Sequence, residues 1–158
     1  MKKKDQNSKK EKGQALVEFS ISLVFMLIIL AGTIDLGRAF FTYMVLRDAA
    51  QEGAAYGSVA RTEQLDTIPC TAIEDRVRST SDNPVDLNGS EIEVNVNFDG
   101  VQCSVAAATS ACFGRDVQVE VSYDEFPLVT PFLGAIIGSQ TISLSATVAD
   151  TVLTPPCD

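Results

Sequence analysis

The feature that most constrains this chain is a long apolar run close to its amino terminus. No residue from Phe19 to Ile34 is charged. Counting back to Gln14 extends the run to about 20 residues, which is roughly what a helix needs to cross the hydrocarbon of a bilayer. Glu18 is the one charge inside that stretch. The chain of 158 residues therefore has room for one membrane helix and one modest domain.

Charge is distributed unevenly along the chain. All six lysines lie in the first twelve residues, whereas the other basic residues are six arginines in an acidic remainder, and the net charge is −9. Lysines before an apolar run place the amino terminus in the cytoplasm, with everything after Ile34 on the far side. The acidic remainder argues against nucleic-acid binding, since phosphate contacts need a clustered basic face.

The charge of Glu18 is energetically unfavourable within the apolar run. A charged side chain at the centre of a membrane helix costs about 2.5 to 3.5 kcal/mol on insertion scales, so Glu18 should have a cationic partner. If a peptidase cut after Gly13, the new amino terminus on Gln14 would be such a cation. A neighbouring copy shifted by about one helical turn could bring its amine to Glu18. The attraction between the amine and the carboxylate is about 4 kcal/mol at 4 Å and an effective dielectric near 20, which is comparable with the cost of burying the charge of Glu18. Repetition of this contact between successive copies would build a filament.

Two other interpretations of the same stretch remain open. Ser20 to Leu30 has the length of a signal-peptide core, and Ala31-Gly32-Thr33 could be its cleavage site, although threonine replaces the small final residue usually preferred. An uncut anchor needs only basic residues and an apolar run. The first residue of the mature protein distinguishes the three.

The helical pattern continues beyond the apolar run. Apolar residues recur at three- and four-residue intervals without a proline, which predicts one helix from Gln14 to about Ala60. Asp35 and Arg38 lie one turn apart just past the run and can pair with each other or with lipid head groups. Small residues in the last turns permit close backbone approach by the chain's own domain or by a second subunit. This face consists of Ala49, Ala50, Gly53, Ala54 and Gly57.

The rest of the chain predicts a short helix from Ala72 to Arg78 and three half-buried strands. The apolar positions of the strands are Ile92, Val94 and Val96; Val117, Val119 and Val121; and Ile142, Leu144, Ala146 and Val148. One face of a small antiparallel sheet would be apolar, and the long helix would cover it, so the fold class is α+β. We interpret the apolar, proline-interrupted stretch from Phe126 to Gly138 as a crossover loop that caps the core or touches the membrane or a neighbour.

Four cysteines follow the apolar run, and an even number in an exported domain suggests two disulfides with three possible connectivities. We favour Cys103 with Cys112, closing a loop between strands, and Cys70 with Cys157, tying the end of the chain to the short helix. The sequence has no Cys-x-x-Cys spacing and no histidine, so we expect no metal. It also has no nucleophile elbow or phosphate-binding glycine loop, so we expect no cofactor and no enzymatic activity.

Several of these segments resemble a known family. The basic leader, the glycine, the glutamate five residues later and the long apolar helix resemble type IV prepilins, and Gly13-Gln14-Ala15-Leu16-Val17-Glu18-Phe19 is most similar to the TadE-type pseudopilins. Gln14 departs from the wider pilin pattern, in which the mature chain usually begins with an apolar or aromatic residue. Further segments similar to the family are Ile34–Phe40 and Leu46–Ala54 in the helix, and Phe126–Pro131 and Thr141–Ala146 in a terminal strand pair.

The resemblance implies a minor pilin or pseudopilin of the tight-adherence (Flp) pilus, cut by a prepilin peptidase and held in the bacterial cytoplasmic membrane. The implied partners are the peptidase, other pilin and pseudopilin subunits, the assembly machinery and membrane lipid, but not nucleic acid. The corresponding division is a leader at 1–13, a transmembrane helix at 14–34, its extracytoplasmic continuation at 35–60 and an α+β domain at 61–158. The alternative is a membrane-anchored extracytoplasmic binding or envelope-scaffold module.

Overall fold

One long helix is followed by a short helix and a small sheet. A computed structural model describes residues 4–59, 70–103 and 114–153, in which the first helix, α1, spans Lys4–Val59. Its length agrees with a stretch of sequence free of proline, the residue that breaks helices most strongly. The predicted α+β class is confirmed. The later elements are α2 (Cys70–Arg78), β1 (Ile92–Phe98), β2 (Val101–Gln102), β3 (Asp116–Pro127), α3 (Pro131–Ile137) and β4 (Thr141–Thr151).

The four strands form one antiparallel sheet in the order β2-β1-β3-β4. Val119 pairs with Val96 on one side and with Val148 on the other. The predicted alternation is present, since Val117, Val119 and Val121 are fully buried while the residues between them are not. The apolar face of the sheet therefore follows from a period of two along each strand.

The connection between β1 and β2 is a two-residue turn. Asp99 and Gly100 both have positive φ, at 49° and 77°, as a type I′ hairpin turn requires. The Asp99 carboxylate accepts a hydrogen bond from the backbone N–H of Asp116 at 3.1 Å and pairs with Arg115. That backbone hydrogen bond, and then the guanidinium of Arg115, lower the pKa of Asp99 from its ordinary value. Sequence analysis missed this hairpin, although Asp-Gly between apolar segments is a strong signal for it.

Residue contacts divide the chain into two compact units. One unit combines Met1–Gly37 with Leu128–Gln140, and the other combines Arg38–Pro127 with Thr141–Asp158. The sequence-based division assigned residues 128–140 to the domain at 61–158, whereas the contacts group them with the amino-terminal part of α1. The second unit holds the main hydrophobic core, which includes Leu46 and Ala50 of α1, Ile73 and Val77 of α2, Leu87, and the inward valines of β1 and β3.

The face of small residues on α1 is buried inside the second unit. A Cβ atom at Gly53 would meet the side chains of Val77 and Val119, and one at Gly57 would lie 3.0 Å from Val117 and 3.1 Å from Ile73. The three alanines of the face are fully buried. Of the two interpretations of this face, the geometry supports packing on the chain's own domain, because α2 and β3 already occupy the space that a second subunit would need.

Replacing Gly53 with alanine should destabilise the second unit by about 1 to 3 kcal/mol, because an inserted methyl group overlaps packed side chains. This loss should exceed the gain of about 1 kcal/mol in helix propensity. Thermal unfolding of the full chain in detergent micelles, followed by near-ultraviolet circular dichroism of the tyrosines, measures the change. Gly37→Ala is the matched control, since no atom lies within 4 Å of its Cβ position. Equal unfolding temperatures for the two variants would contradict this packing.

Both favoured disulfide pairings are wrong. Cys70 is bonded to Cys103, with 5.8 Å between their Cα atoms. The physical reason is the turn at Asp99-Gly100, which reverses the chain so that Cys103 lies beside β1, where its N–H donates to the carbonyl of Val96 at 2.7 Å. The pairings of Cys103 with Cys112 and of Cys70 with Cys157 are therefore excluded. Cys112 and Cys157 themselves lie outside the described residues.

The stretch from Phe126 to Gly138 is more regular than the predicted crossover loop. Strand β3 continues to Pro127, with Phe126 paired to Ile142 after a register shift, and helix α3 follows. Pro131 begins α3, where a missing N–H and a fixed φ are favourable. Gly138 ends it in the left-handed conformation at φ 87°, which glycine adopts without strain.

Candidate processing and assembly site

Most of the apolar run of α1 is left uncovered by the other described residues. In the part of the chain that the structure describes, α1 from Gly13 is the one helix long and apolar enough to cross a membrane, and none of its most apolar stretch is buried. Phe25 and Met26 are 63% and 70% exposed. Exposing such a surface to water is strongly unfavourable, so the run is suited to contact with lipid or with other apolar helices.

The predicted cleavage site and Glu18 lie on successive turns of α1. Gly13, Gln14 and Glu18 are all exposed, and no atom lies within 4 Å of the position where a Cβ of Gly13 would be. Four residues separate Gln14 from Glu18, a rise of about 6 Å along the axis. Hydrolysis between Gly13 and Gln14 would leave an amine on the first residue of the shortened helix, where the helix dipole already carries positive charge. Glu18 would then be its nearest acidic side chain along the helix.

Asp35 has a structural role that sequence analysis did not predict. Its side chain is only 1% exposed, and it accepts hydrogen bonds from the backbone N–H of Val129 at 3.1 Å and of Thr130 at 2.7 Å. The Thr130 hydroxyl donates to the same carboxylate. A buried carboxylate is stable only when such donors satisfy it. Asp35 therefore fixes the start of the segment from Leu128 to Gln140 against α1, and no local pattern around either residue signals a contact across more than 90 positions of sequence.

Arg38 makes a different contact. Its guanidinium carbon lies 5.3 Å from the centroid of the Phe126 ring, a cation–π distance. Phe126 is 4% exposed and packs edge to face on Tyr123, with 5.7 Å between ring centroids. Arg38 thus shields the aromatic end of β3. The ion pair between Asp35 and Arg38 stays a prediction.

A polar groove of about 740 Å³ runs beside β1. Glu91, Glu93, Asp124 and Glu125 line it together with Arg78, whose guanidinium donates to the carbonyl of Leu87 at 2.8 Å. The excess of carboxylates makes the groove unsuitable for an anion. Over the described ranges, no group of three or more His, Cys, Asp or Glu side chains is placed to hold a metal ion.

Comparison with known proteins gives one match. Residues 13–55 match the family model of TadE-like protein, so the predicted resemblance is confirmed over that range. The match begins at Gly13 and includes Glu18, Asp35 and every member of the face of small residues except Gly57. The family is associated with the tight-adherence pilus and is one of structural proteins rather than enzymes. Comparison with curated proteins and with solved structures gave no match.

Proposed function

We propose that this chain is a pseudopilin or minor pilin subunit for the assembly of a tight-adherence (Flp-type) pilus, and that a prepilin peptidase matures it by cutting after Gly13. The proposed location is the bacterial cytoplasmic membrane, with a single span, a cytoplasmic amino terminus and an extracytoplasmic carboxyl-terminal domain. The proposed partners are the peptidase, other pilin and pseudopilin subunits, the assembly machinery and membrane lipid.

The observation that carries the proposal is the family match that starts at Gly13, which is the residue where the basic leader meets the apolar run. Two features of α1 support it. Most of the apolar run is exposed, as is expected of a helix that exchanges lipid neighbours for protein neighbours. Glu18 is exposed on that surface, so another chain can reach it.

The proposed mechanism uses the amine that processing creates. Hydrolysis breaks the bond between the Gly13 carbonyl carbon and the Gln14 nitrogen, leaving a carboxylate on the leader and an amine on the mature chain. In the membrane the amine of an adjacent copy approaches Glu18 and neutralises it. The attraction of about 4 kcal/mol at 4 Å and an effective dielectric near 20 offsets the cost of holding Glu18 in an apolar surrounding. The position of Glu18 along α1 then sets the register between neighbouring helices, because the amine of each copy must lie beside Glu18 of the next.

The mature amino terminus tests the proposal directly. Intact-mass and terminal-peptide mass spectrometry of protein purified from the membrane should find a chain that begins at Gln14. Protein that keeps its first lysines would be an uncut anchor, and protein that begins after Thr33 would have lost a secretory signal. Either result would overturn the proposal, since neither chain has an amine beside Glu18.

A further inference from the structure

The segment between β3 and β4 is strongly apolar and poorly covered. No residue from Phe126 to Ala149 is charged, and no side chain of α3 is polar. Val129, Ile136 and Ile137 are 68%, 82% and 56% exposed, although burial of such apolar side chains is favourable. A patch of bare apolar side chains of this kind marks a surface that meets an apolar partner.

The same segment lies against the apolar run of α1. Thr130 and Pro131 line an apolar cavity of about 260 Å³, whose other walls are Val24, Leu27, Ile28 and Ala31. Ile28 is the least exposed large side chain of the run, at 37%. At 1.5 Å per residue, Val24 and Ala31 lie about 16 Å and 6 Å before Asp35 along the helix axis. The segment therefore lies beside the part of α1 that would be inside the bilayer.

Several backbone N–H groups of the segment have hydrogen-bond partners within the protein. Irregular backbone at membrane depth is tolerated only where its polar groups have partners within the protein. Asp35 accepts from two backbone N–H groups at the start of the segment. Further bonds join Leu128 N–H to the carbonyl of Gln140 at 2.8 Å, Leu133 N–H to that of Thr130 at 3.2 Å and Gly138 N–H to that of Gly134 at 2.8 Å.

We propose that Leu128–Gln140 is a second membrane-immersed element, which lies beside α1 in the leaflet on the side of Asp35 and exposes Ile136 and Ile137 to lipid acyl chains. This inference rests on the proposed membrane span of α1. Lipid is the occupant because the exposed side chains of the segment continue the bare apolar surface of the run. A helix of seven residues is only about 10 Å long, so α3 stays within one leaflet of a hydrocarbon core of about 30 Å.

Tryptophan fluorescence tests the proposal, because the natural chain contains no tryptophan. Full-length Ile136→Trp and Ile137→Trp variants are reconstituted into phosphatidylglycerol and phosphatidylcholine vesicles whose acyl chains carry bromine. We expect blue-shifted emission, quenched to an extent similar to that of a Phe25→Trp variant in the apolar run. Val101→Trp, on exposed β2, is the matched control and should be neither shifted nor quenched. Far-ultraviolet circular dichroism should show that each variant keeps the helix and strand content of the natural chain.

The outcomes separate this inference from the proposed function. If Phe25→Trp is quenched but both isoleucine variants emit as Val101→Trp does, the segment lies in water and the inference is overturned while the span remains. If the isoleucine variants are blue-shifted but not quenched, protein rather than lipid covers them, and the inference is again overturned. If Phe25→Trp is not quenched, the span itself is wrong, and both proposals are overturned.

Discussion

Glu18→Ala should abolish assembly of the subunit into pili while leaving processing and membrane insertion intact. The substitution removes the anion that the amine of a neighbouring copy would neutralise, and it also removes the cost of about 2.5 to 3.5 kcal/mol of placing a charge at membrane depth. Losing an attraction of about 4 kcal/mol weakens each contact by roughly 1,000-fold. Pilus yield, counted by electron microscopy and by immunoblotting of sheared fibres, measures the effect.

Two further variants make the Glu18 test specific. Ser20→Ala changes an exposed polar side chain of the same run, whose hydroxyl donates to the carbonyl of Leu16 at 2.8 Å, and it should leave assembly unchanged. Glu18→Asp keeps the charge on a shorter side chain and should retain part of the activity. Normal pili with Glu18→Ala would leave the glutamate without a role in assembly, and would favour the membrane-anchored binding or scaffold module instead.

Asp35→Ala should release the segment from Leu128 to Gln140 from α1. The substitution leaves the part-buried N–H groups of Val129 and Thr130 without the acceptor that they have in the structure. Each such group costs about 1 to 3 kcal/mol. Local opening should then be on the order of 100-fold more frequent. Hydrogen–deuterium exchange of the full chain in detergent micelles, read on peptides that cover residues 128–140, should show a corresponding loss of protection.

The control for Asp35 is Asp48→Ala, which removes an exposed carboxylate from the same helix and should leave exchange in the segment unchanged. Peptides from β1 serve as an internal reference, because their hydrogen bonds belong to the sheet. Equal protection of residues 128–140 in the wild type and in Asp35→Ala would show that other contacts hold the segment in place.

Features that depend on near neighbours in sequence were predictable. The alternation of Val117, Val119 and Val121 predicted an apolar sheet face, and all three are fully buried. The absence of proline predicted one long helix, and α1 runs to Val59. The hairpin at Asp99-Gly100 was equally local and could have been predicted from its turn residues. Because that turn was not predicted, Cys103 was expected to close a loop between strands with Cys112, and this pairing is wrong.

The sequence by itself determined the apolar run, the charge asymmetry, the single acid at Glu18 and the α+β class, because periodicity and charge order are properties of neighbouring residues. The tertiary structure alone decided that Cys70 meets Cys103, that Gly53 packs on Val77, and that Asp35 binds Thr130. These contacts join residues 33, 24 and 95 positions apart. Their formation depends on loop closure and side-chain packing across the whole chain, and a local pattern carries no information about either.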